Sequence, residues 1–225
     1  MESSTGERVV VAVDGTSGSG KSSTCRGVAD RLGLRYLDTG AQFRAMTWWM
    51  LREGVDIHDA DAVAARAGEP TIVSGTDPLA PTIEVDGVDV AVEIRSDRVT
   101  GAVSPVSTVP EVRARLLELQ REIIDADGGI VVEGRDIGSV VWPQAEVKLY
   151  LTADANARAL RRAAEEGGSD VAATEKVLAE RDRIDSGRAT APLVMADGAV
   201  HVDTTYHSLD EVIDRVVQLV ERAVG

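Results

Sequence analysis

The sequence predicts an α/β fold, with a five-stranded parallel sheet and helices on both of its faces. Residues 9–13 form a run of valine and alanine, as a buried parallel strand requires. A glycine-rich loop follows this run, and residues 22–32 then have the pattern of a helix that ends at Gly33. Apolar runs go on alternating with helical segments, which is typical of a doubly wound sheet that binds ligands at the carboxyl ends of its strands.

The other elements can be assigned in chain order. Further strands are predicted at 34–38, 130–132, 147–151 and 199–203. Helices are predicted from after Arg44 to about Arg52 and at 59–67, 93–103, 110–125, 154–165, 174–185 and 210–224. Residues 69–92 differ, because short β-like runs at 71–73, 82–85 and 88–90 are separated by turn sequences. This segment is predicted to be a small antiparallel insert outside the parallel sheet.

The glycine-rich loop fits the pattern G-x-x-x-x-G-K-[ST]. Its glycines allow successive backbone N–H groups to surround one anion, and the helix that follows adds its positive end. Lys21 is placed to reach the β- and γ-phosphates, and the Ser22 hydroxyl is placed to ligate Mg²⁺. The alternative, a glycine-rich turn with an accidental lysine, leaves the strand before it and the helix after it unexplained. The predicted ATP-binding residues are Gly15, Thr16, Ser17, Gly18, Ser19, Gly20, Lys21, Ser22 and Ser23.

Composition limits the class of protein. With 225 residues, 44% of them hydrophobic, the chain can bury a real core, and it has no apolar run of transmembrane length and no signal-peptide pattern. A cytoplasmic protein is therefore expected. The net charge of -14 argues against nucleic acid and anionic membranes as partners. The single cysteine, Cys25, excludes an internal disulfide and is expected to be a small packed residue.

Polar clusters follow the predicted strands, as ligand binding at their carboxyl ends requires. Asp38-Thr39-Gly40 follows the second strand, with Arg44 about one helical turn beyond. Glu133-Gly134-Arg135-Asp136 follows the third. Glu133 is the candidate for holding Mg²⁺ through water, and Asp14 is the second option.

Two arginine-bearing helices follow the fourth strand. Arg158 shares a helical face with Arg161 and Arg162, and their charges repel one another unless an anion or acidic partners lie between them. A second cluster contains Arg181, Arg183, Asp185 and Arg188. The two helices are joined by a flexible tip at 166–169, which predicts a lid that closes over phosphates and excludes water. The alternative is a solvated face in which Glu165 and Glu166 pair with the arginines.

Four stretches together resemble the bacterial cytidylate kinases, and the resemblance covers essentially the whole chain in order. These stretches are 15–22, Leu37-Asp38-Thr39-Gly40-Ala41-Gln42-Phe43-Arg44, Glu133-Gly134-Arg135-Asp136-Ile137-Gly138 and 181–189. The insert near 69–92 marks this family off from the adenylate kinases. The resemblance implies a P-loop nucleoside monophosphate kinase fold and transfer of the γ-phosphoryl group of ATP to CMP or dCMP, with Mg²⁺. It also implies a core at 7–38, 104–153 and 189–225, a monophosphate-binding region at 39–103 and a lid at 154–188.

The resemblance assigns roles that suit the chemistry of each residue type. Arg44, Arg135 and Arg188 would grip the monophosphate, because a guanidinium matches phosphate bidentately. Asp136 would accept from the cytosine amino group, while Ser104 and Arg113 donate to the ring acceptors, a set that uracil does not match. The resemblance also implies that Thr39 and Asp185 hold the ribose beside Arg181, that Arg158 stacks on adenine, and that Arg161 or Arg162 reaches the transferring phosphoryl group. The predicted catalytic residues are thus Lys21, Arg158, Arg161 and Arg162.

Simpler interpretations stand beside three of these roles. Asp136 could pair with Arg135 or cap a helix at Ile137, Ser104 could be a turn residue before Pro105, and Asp185 could be a helical partner of Arg181. The chain also departs from the family pattern in two places. Phe43 replaces the usual tyrosine, and the lid is short.

Other functions are compatible with the loop alone. The first is another small-acceptor kinase, acting on adenylate, UMP/CMP or shikimate. The second is a nucleotide-switch or regulatory ATPase, although the Asn-Lys-x-Asp guanine signature is absent from the sequence. The third is a pure nucleotide-binding module. A monomer is expected, because no spare apolar surface is evident.

Overall fold

The computed structural model describes residues 8–165, 168, 170–188 and 190–224, without the side chain of Glu165. Glu166, Gly167 and Ser169 of the predicted lid tip lie outside this description, as do residues 1–7, Ala189 and Gly225. The paired-acid interpretation of the lid arginines, which depends on Glu165 and Glu166, therefore falls outside it.

The strands in the described part of the chain are Val10–Gly15 (β1), Arg35–Asp38 (β2), Ile72–Ser74 (β3), Ile83–Val85 (β4), Val88–Asp89 (β5), Ile130–Glu133 (β6), Val147–Thr152 (β7) and Val200–Asp203 (β8). The main sheet has the order β2-β6-β1-β7-β8. Its central strand, β1, pairs in parallel with both β6 and β7, and β7 pairs in parallel with β8. The predicted five-stranded sheet is confirmed. The predicted antiparallel insert is also confirmed, as the separate sheet β3-β4-β5.

The α-helices in the same part are Lys21–Leu32 (α1), Thr39–Arg52 (α2), Ala60–Arg66 (α3), Asp97–Thr108 (α4), Pro110–Asp125 (α5), Ala155–Glu165 (α6), Val171–Gly187 (α7) and Leu209–Val224 (α8). A 3-10 helix covers Glu93–Arg95, and a π-helical turn covers Ile137–Val141. None of the described helices is both long and apolar enough to cross a lipid bilayer.

Several helix boundaries differ from the prediction. Helix α2 begins at Thr39 rather than after Arg44, because the Asp38 carboxylate accepts a hydrogen bond from the N–H of Ala41. The predicted helix at 93–103 is wrong in extent, because the chain breaks at Ser96 and α4 then continues through Pro105. Helix α7 begins at Val171 rather than Thr174, because the Asp170 carboxylate accepts hydrogen bonds from the N–H groups of Ala172 and Ala173. The π-helical turn was not predicted.

The chain divides into two compact units, each with its own core. The first unit comprises Met1–Tyr36 with Asp127–Gly225, and the second comprises Leu37–Ala126. Strand β1 and helices α1 and α8 supply the first core, in which Cys25 is packed as expected. Helices α2, α4 and α5 and the insert supply the second core, which includes Trp49. Residues 104–126 belong to the second unit, whereas the functional division drawn from the sequence assigns them to the kinase core.

Candidate active site

The phosphate loop leads from β1 into α1 along a path that requires glycine at two positions. Gly15 has a φ of 148°, and a Cβ atom there would lie 2.0 Å from the carbonyl oxygen of Leu151 in β7. Gly20, the residue before α1, has a φ of 84°, in the left-handed region. The loop is therefore wound tightly against the neighbouring strand and opens onto a helix N-terminus, which is the geometry that binds phosphate.

Lys21 is buried at the base of this loop, with 8% of its surface exposed. Its ammonium group donates to the carbonyl oxygens of Gly15, at 2.9 Å, and Thr16, at 2.7 Å. Burial, followed by repulsion from Arg135, lowers the pKa of Lys21 to about 7. A phosphate beside this ammonium group would favour its charged form and raise the pKa of Lys21 again.

Arg135 ties the loop to helix α7. Its guanidinium donates to the Gly15 carbonyl oxygen at 2.6 Å and to the Ser17 hydroxyl at 2.5 Å. Its Nε donates to the carboxylate of Asp185 at 2.8 Å, which forms an ion pair. Asp185, which the sequence suggested as a helical partner of Arg181, thus forms an ion pair with Arg135.

Glu133 ends β6 beside the first turn of α1 and is 4% exposed. Its Oε2 accepts a hydrogen bond from the Ser22 hydroxyl at 3.0 Å, and its Oε1 accepts one from the hydroxyl of Tyr36. Hydroxyl and carboxylate oxygens are the donors that Mg²⁺ prefers. The two side chains therefore fit as ligands for magnesium, which Ser22 would hold directly and Glu133 would hold through water.

Asp14, the second candidate for the metal, has another role. It is 2% exposed, and its two oxygens accept from the N–H groups of Ile137, at 2.7 Å, and Gly138, at 2.8 Å. Burial raises the pKa of Asp14 to about 6. The interpretation of Asp136 as the cap of this turn is wrong, because its side chain makes no capping hydrogen bond and Asp14 does so from the end of β1. Asp14 thereby holds the chain that carries Arg135 and Asp136.

Arg158 lies against the phosphate loop. Its guanidinium donates to the Ser17 carbonyl oxygen at 3.0 Å and forms an ion pair with Asp182, and its side chain is 11% exposed. The other oxygen of Asp182 accepts from the Ser17 N–H at 2.9 Å. A solvated-face interpretation is therefore wrong for Arg158.

Arg161 and Arg162 have different surroundings, although they are adjacent in α6. Arg161 donates to the Thr204 hydroxyl at 2.9 Å and to its carbonyl oxygen at 2.6 Å. Thr204 is buried, with 2% of its surface exposed, and the same hydroxyl donates to the carbonyl oxygen of Ser19 in the loop at 3.0 Å. Arg162 instead lies close enough to Arg181 to lower its pKa. Arg161 thus supports the loop, whereas Arg162 belongs to a group of cations.

This group of cations is concentrated within the first unit. Burial is the main cause that lowers the pKa of Arg181, and repulsion from Arg135 is the second. Asp185 offsets part of the charge, because it pairs with Arg135 and lies 3.5 Å from Arg188, whose side chain is 6% exposed. The chain therefore gathers positive charge around the loop despite its net charge of -14.

The second unit contains the other predicted substrate residues. Arg44 donates to the Thr100 hydroxyl at 3.0 Å. Arg113 donates to the carbonyl oxygen of Ser107 at 3.2 Å and stacks on Phe43, with 5.3 Å from the guanidinium carbon to the ring centroid. Phe43 therefore orients Arg113 through its ring, a contact that does not need the tyrosine hydroxyl.

Thr39 and Ser104 occupy helical positions in this unit. Thr39 is the first residue of α2 and is 4% exposed. Ser104 lies inside α4, where its carbonyl oxygen accepts from the Ser107 hydroxyl at 2.9 Å. The interpretation of Ser104 as a turn residue is therefore wrong.

Three residues with contacts at the site were missed in the sequence. Thr204 directly follows β8, so the rule that polar residues follow strand ends could have found it. Tyr36 is buried in β2, and a buried tyrosine hydroxyl needs a partner, but that partner is 97 positions away. Asp182 has no local signal that distinguishes it from other acids on α7.

The chain is similar to known proteins in sequence and in fold. A family model described as Cytidylate kinase matches residues 11–222. A cytidylate kinase of Streptomyces avermitilis is 59% identical over 95% of this chain and 93% of its own. One from Streptomyces coelicolor is 61% identical over 96% and 94%. A solved structure of an uncharacterized protein from Eubacterium ventriosum has a TM-score of 0.55 and 9% identity over 96% of this chain and 99% of that one, which shows a likeness of fold alone.

Proposed function

The chain belongs to the cytidylate kinase family, and from this premise we propose that it transfers the γ-phosphoryl group of ATP to CMP and dCMP. The products are ADP and the corresponding diphosphate. The observation that carries the proposal is the buried Lys21 in a phosphate loop surrounded by arginines of the first unit. This arrangement neutralises the charge of a triphosphate whose γ-phosphoryl group is being transferred.

No general base is needed for this reaction. The second pKa of a phosphomonoester is about 6, so the acceptor phosphate is already largely a dianion at neutral pH. The residues have to bring two polyanions into line and exclude water, which would otherwise compete as the acceptor. Lys21 and the loop amides hold the donor phosphates, and Arg158 covers the adenine side of the loop.

We propose Arg161 or Arg162 as the arginine that contacts the transferring phosphoryl group, since Arg161 is held beside the loop by Thr204 and Arg162 lies close to Arg181. Ser22 and Glu133 are the residues that would hold magnesium, the latter through water. When bound, magnesium neutralises charge on the β- and γ-phosphates. The Ser22 hydroxyl can donate its single proton to Glu133 and still offer lone pairs to a cation.

We propose that the residues predicted to bind the acceptor nucleotide have the roles expected from the sequence. Arg44, Arg135 and Arg188 bind the monophosphate, and Thr39, Arg181 and Asp185 hold the ribose. Asp136, Ser104 and Arg113 distinguish cytosine from uracil. In support, Asp136 is buried on the segment that Asp14 braces, and Arg113 has its orientation set by Phe43. A carboxylate that faced the uracil carbonyl would leave both groups without a donor, which penalises UMP.

We further propose that the enzyme works as a monomer in the cytoplasm and binds neither nucleic acid nor membrane. The net charge of -14 supports the absence of polyanionic partners. Light scattering on the purified chain measures its oligomeric state. Retention of the chain on heparin at low salt would contradict the proposal that it binds no polyanionic partner.

An acceptor screen tests the proposed function. The chain is incubated with ATP and Mg²⁺, and formation of ADP is followed by a coupled assay with CMP, dCMP, UMP, AMP or shikimate. CMP and dCMP are expected to stimulate ADP formation, and the others weakly or not at all. Preference for AMP, UMP or shikimate would identify another small-acceptor kinase. Slow hydrolysis that no acceptor stimulates would identify a regulatory ATPase.

A further inference from the structure

Tyr36 joins the hydrophobic core of the first unit to the candidate metal site. Tyr36 is 2% exposed, and its ring packs in the hydrophobic cluster formed by residues of β1, α1 and α8. The strand that carries it, β2, lies next to β6 in the sheet. Its hydroxyl donates a hydrogen bond to Oε1 of Glu133, at the end of β6. The ring position is set by packing, which holds the hydroxyl against Glu133.

This contact divides the Glu133 carboxylate between two donors. Oε2 accepts from the Ser22 hydroxyl at 3.0 Å, and Oε1 accepts from Tyr36. The terminal torsion of a glutamate is broad, so one hydrogen bond alone leaves the plane of the carboxylate poorly defined. Two donors on different oxygens determine that plane. The Ser22 hydroxyl is then oriented in turn, because its proton is directed to Oε2.

We propose that Tyr36 is a positioning residue for the divalent cation that accompanies the nucleotide. It acts through Glu133, whose orientation determines where Ser22 presents its lone pairs and where a metal-bound water can donate. This inference rests on the proposed function, since it assumes that Ser22 and Glu133 serve a metal–nucleotide complex. It differs from a purely structural role, in which Tyr36 would stabilise the fold and leave metal binding unchanged.

The test is the effect of Mg²⁺ on the affinity for a non-hydrolysable β,γ-imido analogue of ATP, measured by calorimetry with and without the metal. The ratio of the two dissociation constants isolates the contribution of the metal. Tyr36→Phe keeps the ring and removes the hydroxyl. It is expected to reduce the ratio about 10-fold, the lower end of what loss of a supporting hydrogen bond costs a metal site. The affinity without metal should stay as in the wild type.

Three comparisons make the result decisive. Tyr206→Phe removes a hydroxyl from a residue that is 92% exposed and should leave the ratio unchanged. Glu133→Gln should reduce the ratio at least as much as Tyr36→Phe, and adding Tyr36→Phe to it should change nothing more. A wild-type ratio in Tyr36→Phe, together with a reduced ratio in Glu133→Gln, would overturn the role of Tyr36 alone. A ratio unaffected by Glu133→Gln would overturn both the metal site and the role of Tyr36.

A second measurement does not depend on the stability of Tyr36→Phe. The chain has three tyrosines, so the variant with Tyr150→Phe and Tyr206→Phe retains only Tyr36. When this variant is produced with 3-fluorotyrosine, its single fluorine resonance should shift as Mg²⁺ is added to the complex with the ATP analogue. A resonance that shifts on addition of the analogue but not of the metal would contradict the proposal. A chain that phosphorylates no acceptor in the screen above would contradict the proposed function instead.

Discussion

The protonation of Lys21 predicts a specific pH dependence of ATP binding. Burial lowers its pKa to about 7 in the nucleotide-free chain, whereas the phosphates of bound ATP favour the charged form. Above pH 7, binding must therefore take up a proton at Lys21. From about pH 7 to about pH 8.5, the protonated fraction of the free lysine falls about 15-fold, so the affinity should weaken by the same factor, or ~1.6 kcal/mol.

Calorimetry in buffers with different ionisation enthalpies measures both the affinity and the protons taken up. Uptake should approach about one proton per ATP at the higher pH, where the free lysine is largely neutral. The phosphates of ATP are already ionised across this range, so they contribute little to the slope. Lys176→Met, at an exposed position on α7, should retain the dependence. Lys21→Met should bind ATP weakly, with an affinity that does not change with pH. A wild-type affinity that is constant from pH 7 to 8.5, with no proton uptake, would show that Lys21 is already charged in the free chain.

Three further substitutions test separate parts of the site. Asp14 has a folded-state pKa of about 6 against 3.8 for the free residue, so only the folded chain holds its proton between these values. As pH rises through this window, the unfolding free energy of the wild type should therefore fall by about 3 kcal/mol relative to that of Asp14→Asn. If urea denaturation shows a difference between the two proteins that stays constant with pH, the raised pKa of Asp14 is contradicted. Thr204→Val removes a buried hydroxyl that donates to Ser19 and should cost about 1–3 kcal/mol, measured by the same method; a change within error would sink the bracing role. Asp136→Ala should lower kcat/KM for CMP by on the order of 100-fold with ATP affinity unchanged, and unaltered CMP and UMP kinetics would exclude its base-reading role.

Local sequence patterns predicted the donor half of the site because the chemistry there is local. The loop from Gly15 to Ser22 needs its glycines, lysine and hydroxyl within eight consecutive positions. The alternation of strands and helices also predicted the sheet, since each apolar run is long enough to be recognised alone. Glu133 was predicted as a metal-site residue because a polar residue at the end of a buried strand marks the ligand edge of a parallel sheet.

Contacts between distant parts of the chain account for what was missed. The π-helical turn at Ile137–Val141 is capped by Asp14, which is 123 positions away from Ile137, so no local pattern signals it. Helix α4 was ended too early because proline lacks an N–H and usually interrupts a helix. It continues through Pro105 within a packed unit, which shows tertiary context overriding local preference.

The roles of individual arginines were the least predictable from sequence. Arg161 and Arg162 are adjacent and chemically identical, and only the structure shows that Arg161 is hydrogen-bonded to Thr204. Arg135 was expected to grip phosphate, and the structure shows that it holds the loop through Gly15 and Ser17. A guanidinium has five donors, so one arginine can support the loop and still offer N–H groups to a ligand.

The fate of the γ-phosphoryl group distinguishes transfer to CMP from hydrolysis. Radiolabelled ATP, with the label in the γ-phosphate, is mixed with Mg²⁺, CMP and an excess of the enzyme, and the products of a single turnover are separated. The label is predicted to appear in CDP, with little in inorganic phosphate and almost no turnover when CMP is omitted. Label that appears in inorganic phosphate at the same rate with and without CMP would contradict the assignment of this chain as a phosphotransferase.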